Sequence, residues 1–387
     1  MIPRRFRSDG PLRWSALLAA AILAALAWAL PLASAETGSA PSTSEAGLPK
    51  LALTRVTEAG CCAWFSWTPD GKGIRFYDAS PGSVSGVWVQ DVETGERWIE
   101  SNEPGYMSPS GRYSVRPATE PDSAVVVDSW TGATWPFDDG GPRLLFSPDE
   151  TRVAFTVRDK GLDPDYVRKN SVFVSDLRGG DRRLLTRTYG GPVAWLDGGA
   201  SLLFVGKDNL DDDSQAWLYD VSGGDRKAIV SARFLRRVEV SPDGRFIAYV
   251  RALEEDPSLS GLWLQDLQTG RAWLAPIGGS FQWHPSGRGL VVIPPRKDGV
   301  GDHRVWWLEI AGGDPVLLTP EDGPSPRIAG LQWQLSPDGR TVAHRNLDDN
   351  SIWVLDIGPA LDAVFEAPQS RDRPEGDDSL REIPRGG

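Results

Sequence analysis

Short apolar runs recur along the chain, and most of them are rich in aromatic and β-branched residues. Residues 246–250, with the sequence Phe-Ile-Ala-Tyr-Val, are a clear example. Runs of this composition are typical of buried β-strands. Polar segments containing Pro, Asp and Gly separate the runs, and these residues favour turns. The pattern therefore predicts an all-β fold built from many short strands.

A turn precedes the example strand, with the sequence Ser241-Pro242-Asp243-Gly244. Ser, Pro and Gly at its first, second and fourth positions suit a type I turn followed by a left-handed glycine, which is a common hairpin loop. The same unit occurs seven times, with a degenerate copy at 195–199, and the period of roughly 40 to 50 residues is typical of stacked structural repeats. The copies are residues 67–71, 107–111, 146–150, 195–199, 240–244, 283–287 and 335–339.

A second signature follows each of these turns. It reads apolar-Trp-apolar-x-Asp in its clearest form, as in Leu262-Trp263-Leu264-Gln265-Asp266, and Thr-Gly or Gly-Gly then predicts another hairpin. Its copies are residues 87–91, 125–128, 172–176, 216–220, 262–266, 305–309 and 352–356. Each repeat thus holds four strands, named a to d from the inside outward. The sequence predicts a seven-bladed β-propeller of four-stranded blades.

Residues 50–54 resemble the fourth strand of other repeats but stand before the first complete repeat. We therefore expect this N-terminal strand to complete blade seven and close the ring, which removes an exposed sheet edge. Ala363-Val364-Phe365 is an alternative occupant of the same position.

The two signatures together resemble the TolB-type (WD40-like) propeller repeat, in which Trp-Ser-Pro-Asp-Gly is followed by an apolar strand and a Trp-Val-x-Asp strand. The resemblance covers about residues 50 to 360 and implies the fold rather than a function. TolB itself has an α/β domain followed by six blades, whereas this chain has seven repeats after a short linker.

The N-terminal residues 1–35 have the pattern of a signal peptide. Arg4, Arg5, Arg7 and Arg13 form a basic region before an Ala/Leu-rich run, and Ala33-Ser34-Ala35 is a cleavage site. The alternative is an uncleaved membrane anchor. Either one places the body outside the cytoplasm, in the periplasm, in the cell envelope or in the medium. We expect a flexible linker over 36–49, the propeller over 50–366 and a disordered tail over 367–387.

The formal net charge is −12, and removing residues 1–35 makes the chain more negative. This charge argues against nucleic acid or anionic lipid as partners, and favours cations or basic proteins. Contact with a membrane is expected only through an uncleaved N-terminal segment. Fifteen of the 17 tryptophans lie after residue 35, and most of these fifteen fall in the two repeat slots, so we interpret them as packing between blades.

The repeat order predicts two faces. The a–b and c–d turns lie on one, here called the turn face, and the b–c and d–a connections lie on the other, the loop face. The b–c loops are longer and more variable, so we expect binding there. Those of blades four and five are acidic, which suits a basic partner, or calcium as an alternative. The residues concerned are Asp208, Asp211, Asp212, Asp213, Glu254, Glu255 and Asp256.

Cys61 and Cys62 are the only cysteines and precede strand a of blade one, near the channel mouth on the loop face. In an oxidising compartment they can form a vicinal disulfide. Quinone-dependent alcohol dehydrogenases, which are also propellers, carry such a pair beside the cofactor, but their blade signatures differ. The alternative is a pair of small residues without a functional role.

Few residues suggest catalysis. His284 takes the serine slot of a turn, so we expect it on the opposite face from His303, and His344 lies in strand b of blade seven; a three-histidine metal site is therefore not expected. No Gly-x-Ser-x-Gly or phosphate-binding glycine loop is present. We predict a non-enzymatic propeller that binds a protein or another macromolecule, without catalytic residues or a cofactor. The alternative is an extracytoplasmic enzyme or small-ligand binder of the lyase, lactonase or quinoprotein type, with its site at the channel mouth.

Overall fold

Seven four-stranded antiparallel sheets follow one another along the chain and confirm the predicted seven-bladed β-propeller. The structure is a computed structural model, and it describes residues 51–62, 64–78, 82–102, 105–118, 123–137, 143–158, 169–296, 302–320 and 323–366. The predicted signal peptide, linker and tail lie outside the described residues.

The first three blades contain twelve strands, which are numbered in chain order after the closing strand β1 (Leu53–Arg55). Blade one is β2 (Phe65–Trp67), β3 (Gly73–Asp78), β4 (Gly86–Asp91) and β5 (Arg97–Ser101). Blade two is β6 (Tyr106–Met107), β7 (Tyr113–Pro117), β8 (Ala124–Asp128) and β9 (Thr134–Phe137). Blade three is β10 (Leu144–Phe146), β11 (Arg152–Arg158), β12 (Asn170–Asp176) and β13 (Arg183–Thr188).

The remaining blades complete the ring. Blade four is β14 (Gly191–Leu196), β15 (Ser201–Gly206), β16 (Ser214–Asp220) and β17 (Arg226–Ala232). Blade five is β18 (Phe234–Val240), β19 (Phe246–Ala252), β20 (Gly261–Asp266) and β21 (Ala272–Leu274). Blade six is β22 (Ser280–Trp283), β23 (Gly289–Ile293), β24 (Trp306–Glu309) and β25 (Val316–Leu317). Blade seven is β26 (Ile328–Leu335), β27 (Thr341–Asn346) and β28 (Ile352–Asp356), and α1 (Gly358–Glu366) follows it.

The N-terminal strand closes the ring as predicted. β1 pairs antiparallel with β28, with Leu53 opposite Leu355 and Arg55 opposite Trp353, so it forms the outer strand of blade seven. The alternative segment at residues 363–365 lies in α1 instead, where Phe365 packs edge-on against Trp307. The first and last repeats are thereby joined by backbone hydrogen bonds, as ring closure requires.

The a–b turns have the predicted chemistry. In blade five, Ser241 Oγ donates to the carboxylate of Asp243 at 2.5 Å and accepts from the backbone N–H of Phe246 at 2.8 Å. Gly244 has φ +74° and donates its N–H to the carbonyl of Ser241. The serine thus ties both ends of the turn together, and the glycine supplies a backbone conformation that other residues rarely adopt.

The Trp slot before these turns joins neighbouring blades. The indole Nε1 of Trp195 in blade four donates to the carbonyl of Leu145 in blade three at 2.9 Å. Trp283 in blade six does the same to Glu239 in blade five at 3.3 Å. In both cases the acceptor immediately precedes the residue that occupies the equivalent position in the preceding blade, which is Phe146 in blade three and Val240 in blade five. This tryptophan is therefore both a packing group and a hydrogen-bond donor between blades.

The Asp of the second signature caps the c–d turn. The carboxylate of Asp266 accepts from the backbone N–H groups of Gln268 and Thr269 and pairs with Arg245 at 2.9 Å. Asp128 makes the same contacts in blade two, and its pairing with Arg112 lowers its pKa to about 2. The recurring acid is thus a structural turn residue rather than a catalytic candidate.

Most of the large side chains pack between blades, as predicted for the tryptophans. Trp263, Trp307 and Trp333 are at most 4% exposed. Two do not follow the prediction: Trp98 on the outer strand β5 is 46% exposed and Trp130 in a c–d turn is 76% exposed. Neither has a neighbouring sheet over its outer side, because outer strands and turns lie at the edge of a blade. No helix in the described part of the chain is long and apolar enough to span a membrane.

Candidate functional site

The strand connections divide the molecule into the two predicted faces. Strands of a blade are antiparallel, so the a–b and c–d turns lie at one end and the b–c and d–a connections at the other. The described b–c loops differ in length, from residues 347–351 in blade seven to residues 207–213 in blade four and 253–260 in blade five. The loop face thus has the variable segments, and the turn face the uniform ones.

The acidic loop of blade four is held by its own side chains. Lys207 Nζ donates to the carbonyls of Leu210 and Asp212, and the carboxylate of Asp212 accepts from the backbone and side-chain N–H groups of Asn209. Asp208 forms a two-bond ion pair with Arg226, at 3.0 and 2.6 Å, and this hydrogen bonding lowers the pKa of Asp208. Two of the four predicted acids therefore support the loop, while Asp211 and Asp213 are exposed.

The acidic loop of blade five has a similar division. Glu254 pairs with Arg251 at 3.3 Å, and Asp256 accepts from the backbone N–H of Ser258 at the start of a short 3-10 turn. Glu255 is exposed. Within the described residues, no group of three or more His, Cys, Asp or Glu side chains is arranged to hold a metal ion. The calcium alternative and the basic partner remain predictions.

The two cysteines lie in the interface between blades one and seven. The structure records a disulfide between Cys61 and Cys62, which are 9% and 4% exposed. They pack with Phe65 and Ile352, and both sulfurs lie beside the hydroxyl of Thr57. This hydroxyl also accepts the backbone N–H of Ile352, so the pair belongs to the segment that closes the ring.

Two of the three histidines come together, which the sequence did not show. His303 accepts the backbone N–H of Ile328 at Nδ1, and Ile328 lies in β26, the strand that pairs with the strand of His344. His344 is fully buried in β27, and its ring nitrogens have no hydrogen-bond partner among the described residues. Burial, with a smaller effect of His303, lowers the pKa of His344 to about 3. His284 lies in a turn with Ser286, on the turn face as expected.

A central cavity of about 1180 Å³ lies on the inner side of the blades. Its described lining comes from blades one to four and seven. Trp64, Gly105, Arg143 and Gly190 line it where their blades begin, at the loop face, and Pro69, Pro109 and Pro337 line it at the turn face. The apolar part of the wall includes Trp64, Tyr106, Met107, Leu145, Phe155 and Val193.

The charged groups of this wall are arginines. Arg75 and Arg143 line the cavity, and no Asp or Glu is among the described lining residues. Arg75 is 5% exposed, stacks over Trp64 and places Nε 3.1 Å from both carboxylate oxygens of Glu100. Arg143 is exposed. The sequence analysis placed an alternative site at the channel mouth but identified none of these lining residues, because they come from five different repeats.

The comparisons with known proteins concern the fold. No family model matches the chain, and no curated protein matches it. Among solved structures, an oligogalacturonate lyase in complex with manganese has a TM-score of 0.59 at 14% identity, over 80% of this chain and 94% of that chain. An oligogalacturonate lyase from Vibrio parahaemolyticus has a TM-score of 0.58 at 15% identity, over 79% and 93%. A putative TolB from Agrobacterium tumefaciens has a TM-score of 0.43 at 17% identity, over 70% and 96%. At these identities the likenesses concern the fold alone, and the β-propeller itself is shown by the seven four-stranded blades.

Proposed function

We propose that the chain is a binding protein without catalytic activity, and that it takes a protein partner on its loop face outside the cytoplasm. The observation that supports this proposal is the central cavity, whose wall is mostly apolar and whose loop-face end is bordered by Trp64 and Arg143. A concave apolar wall with few polar groups provides the buried area on which binding depends. Strands of five blades hold that wall in place.

The acidic loops of blades four and five supply charge on the same face. Asp211, Asp213 and Glu255 are exposed, while Asp208 and Glu254 keep their loops in one conformation through ion pairs. Charges of one sign on a fixed surface accelerate the approach of a partner of opposite sign, and they change association rates more than final affinity. We therefore expect a partner with a basic surface.

The location outside the cytoplasm is supported by the sequence of residues 1–35. Export can be tested by expressing the full chain and measuring the intact mass of the protein in the periplasmic and secreted fractions. A mature protein that begins at Glu36 supports a cleaved signal peptide. A full-length protein held in the membrane fraction supports an anchor, and accumulation in the cytoplasm overturns the proposed location.

The partner can be tested by affinity capture from envelope and secreted fractions. A triple variant D211N/E255Q/D213N removes exposed charge from the loop face, and E93Q/D181N/D225N removes the same charge from exposed positions of the turn face. Capture by the wild type and the turn-face variant, with slower association by the loop-face variant, supports the proposal. Equal association by all three proteins overturns the role of the acidic loops. Absence of any captured protein, together with turnover of a small substrate, overturns the binding function in favour of an enzyme.

A further inference from the structure

The central cavity differs in charge from the molecule that surrounds it. The chain has 53 acidic and 41 basic side chains, yet the described lining of the cavity contains arginines and no carboxylate. Its volume of about 1180 Å³ exceeds the range of roughly 300 to 1,000 Å³ that is usual for small-molecule pockets. A ligand with an apolar part and an acidic group would be complementary to this lining.

Neighbouring a–b turns contact one another at the turn-face end of the cavity. Pro337 lies against Gly71, where an added Cβ would be 3.4 Å from the proline ring, and Pro69 lies against Gly111, where the distance would be 3.0 Å. Both glycines have positive φ, so a larger residue would be strained at either position. The turns of blades seven, one and two therefore contact their neighbours directly. The exposed Arg143 lies at the opposite end of the cavity, so we take the loop face as the side from which a ligand enters.

The two arginines of the wall have different surroundings. Arg75 is buried and held by the carboxylate of Glu100, so its charge is already compensated. Arg143 is exposed at the loop-face end and immediately precedes β10. The hydroxyl of Tyr106 bonds both the N–H and the carbonyl of Leu144, which fixes the backbone next to Arg143. Because this backbone is fixed, the guanidinium of Arg143 lies at the loop-face mouth of the cavity. The Arg143 side chain can still change its rotamer.

We propose that the cavity binds an apolar chain that ends in a carboxylate, with the apolar part against Tyr106, Met107 and Leu145 and the carboxylate on Arg143. A guanidinium and a carboxylate match in geometry and form two parallel hydrogen bonds. Of the two arginines in the described lining, only Arg143 is not already paired with Glu100, and a single guanidinium suits a ligand with one negative charge. The same chemistry occurs in fatty acids and in the free C-terminus of an apolar peptide. This inference rests on the proposed binding function and identifies the group that enters the cavity.

The test uses the chain without residues 1–35 and measures binding by calorimetry and by the change in total tryptophan fluorescence. The probes are decanoate and octanoate, decanol as the neutral control, and an apolar hexapeptide with either a free or an amidated C-terminus. Arg143→Gln is the test variant, and Arg178→Gln, which changes an exposed arginine of the turn face, is the matched control.

We expect a carboxylate probe to bind the wild type at least tenfold more tightly than its neutral counterpart, and Arg143→Gln to abolish this difference while Arg178→Gln preserves it. Loss of two methylenes from decanoate should weaken binding by about tenfold. Binding of decanoate identifies a lipid-like source and binding of the free-acid peptide a protein source. Equal binding of acidic and neutral probes, or no binding of either acid, overturns the proposal. If neither acid binds but affinity capture still yields a protein partner, the proposed function stands and only the ligand proposal fails.

Discussion

The indole Nε1 of Trp67 in the first blade donates a hydrogen bond of 3.3 Å to the carbonyl of Gln334 in the last blade, and the side-chain amide of Gln334 donates to the carbonyl of Phe65 at 3.1 Å. These reciprocal bonds join inner strands that are 267 positions apart along the chain. They complement the outer joint between β1 and β28, so the ring is closed at its inner and outer edges.

Replacing Trp67 by Phe should weaken the inner joint. The change keeps an aromatic ring between the blades but removes the N–H, and we expect the free energy of unfolding to fall by about 1 kcal/mol. Trp283→Phe removes the same bond between blades five and six and is the matched control. Urea denaturation measures both, and an unchanged midpoint for Trp67→Phe would show that the bond contributes nothing.

The closure by the N-terminal strand can be tested at Leu51. This side chain is 3% exposed and packs in the cluster that includes Trp307 and Leu355. Leu51→Ala should lower the free energy of unfolding by about 2 to 5 kcal/mol, the usual range for a buried leucine. Leu184 lies on the outer strand β13 and is 45% exposed, so Leu184→Ala should change stability by less than about 0.5 kcal/mol. Similar losses for both variants would contradict the closure.

His344 should make the fold sensitive to moderate acid. Burial lowers its pKa to about 3, so the folded protein leaves the ring neutral while the unfolded chain takes up a proton below about pH 6.5. The unfolded state then binds more protons, and stability falls as the pH decreases from about 6.5 towards 3. His344→Leu removes this effect.

The measurement is urea unfolding at several pH values between 7 and 4, compared between wild type and His344→Leu. We expect the stability of the variant to decrease less over this interval, since the carboxyl groups that titrate are the same in both proteins. Parallel curves would mean that His344 takes up a proton in the folded state.

Oxidation of Cys61 and Cys62 can be measured directly. The pair is buried in the closing segment beside Thr57, where Cys61 is 9% and Cys62 4% exposed. We expect the exported protein to have an intact mass about 2 Da below that of the reduced form. Alkylation should require both denaturant and reductant. Alkylation of both residues in denaturant alone would contradict the disulfide.

The repeated local pattern specifies the propeller architecture. The turn at Ser241 and Gly244, the strand after it and the acid at Asp266 are local features, and each of them repeats seven times in some form. Local features are visible without knowledge of the fold, because a hairpin depends on the residues within it. The closing strand was also visible, since residues 50–54 resemble the outer strands of other repeats.

The candidate site, in contrast, forms only in the folded ring. Arg143, Tyr106 and Trp64 belong to three different repeats, and only the closed ring brings them to one cavity. The same holds for His303 and His344, whose proximity depends on the packing of blade six against blade seven. The acidic loops were recognised from their charge, but the ion pair of Asp208 with Arg226 depends on strand register. Contacts between distant repeats depend on how the blades pack, so they cannot be predicted from the sequence of one repeat alone.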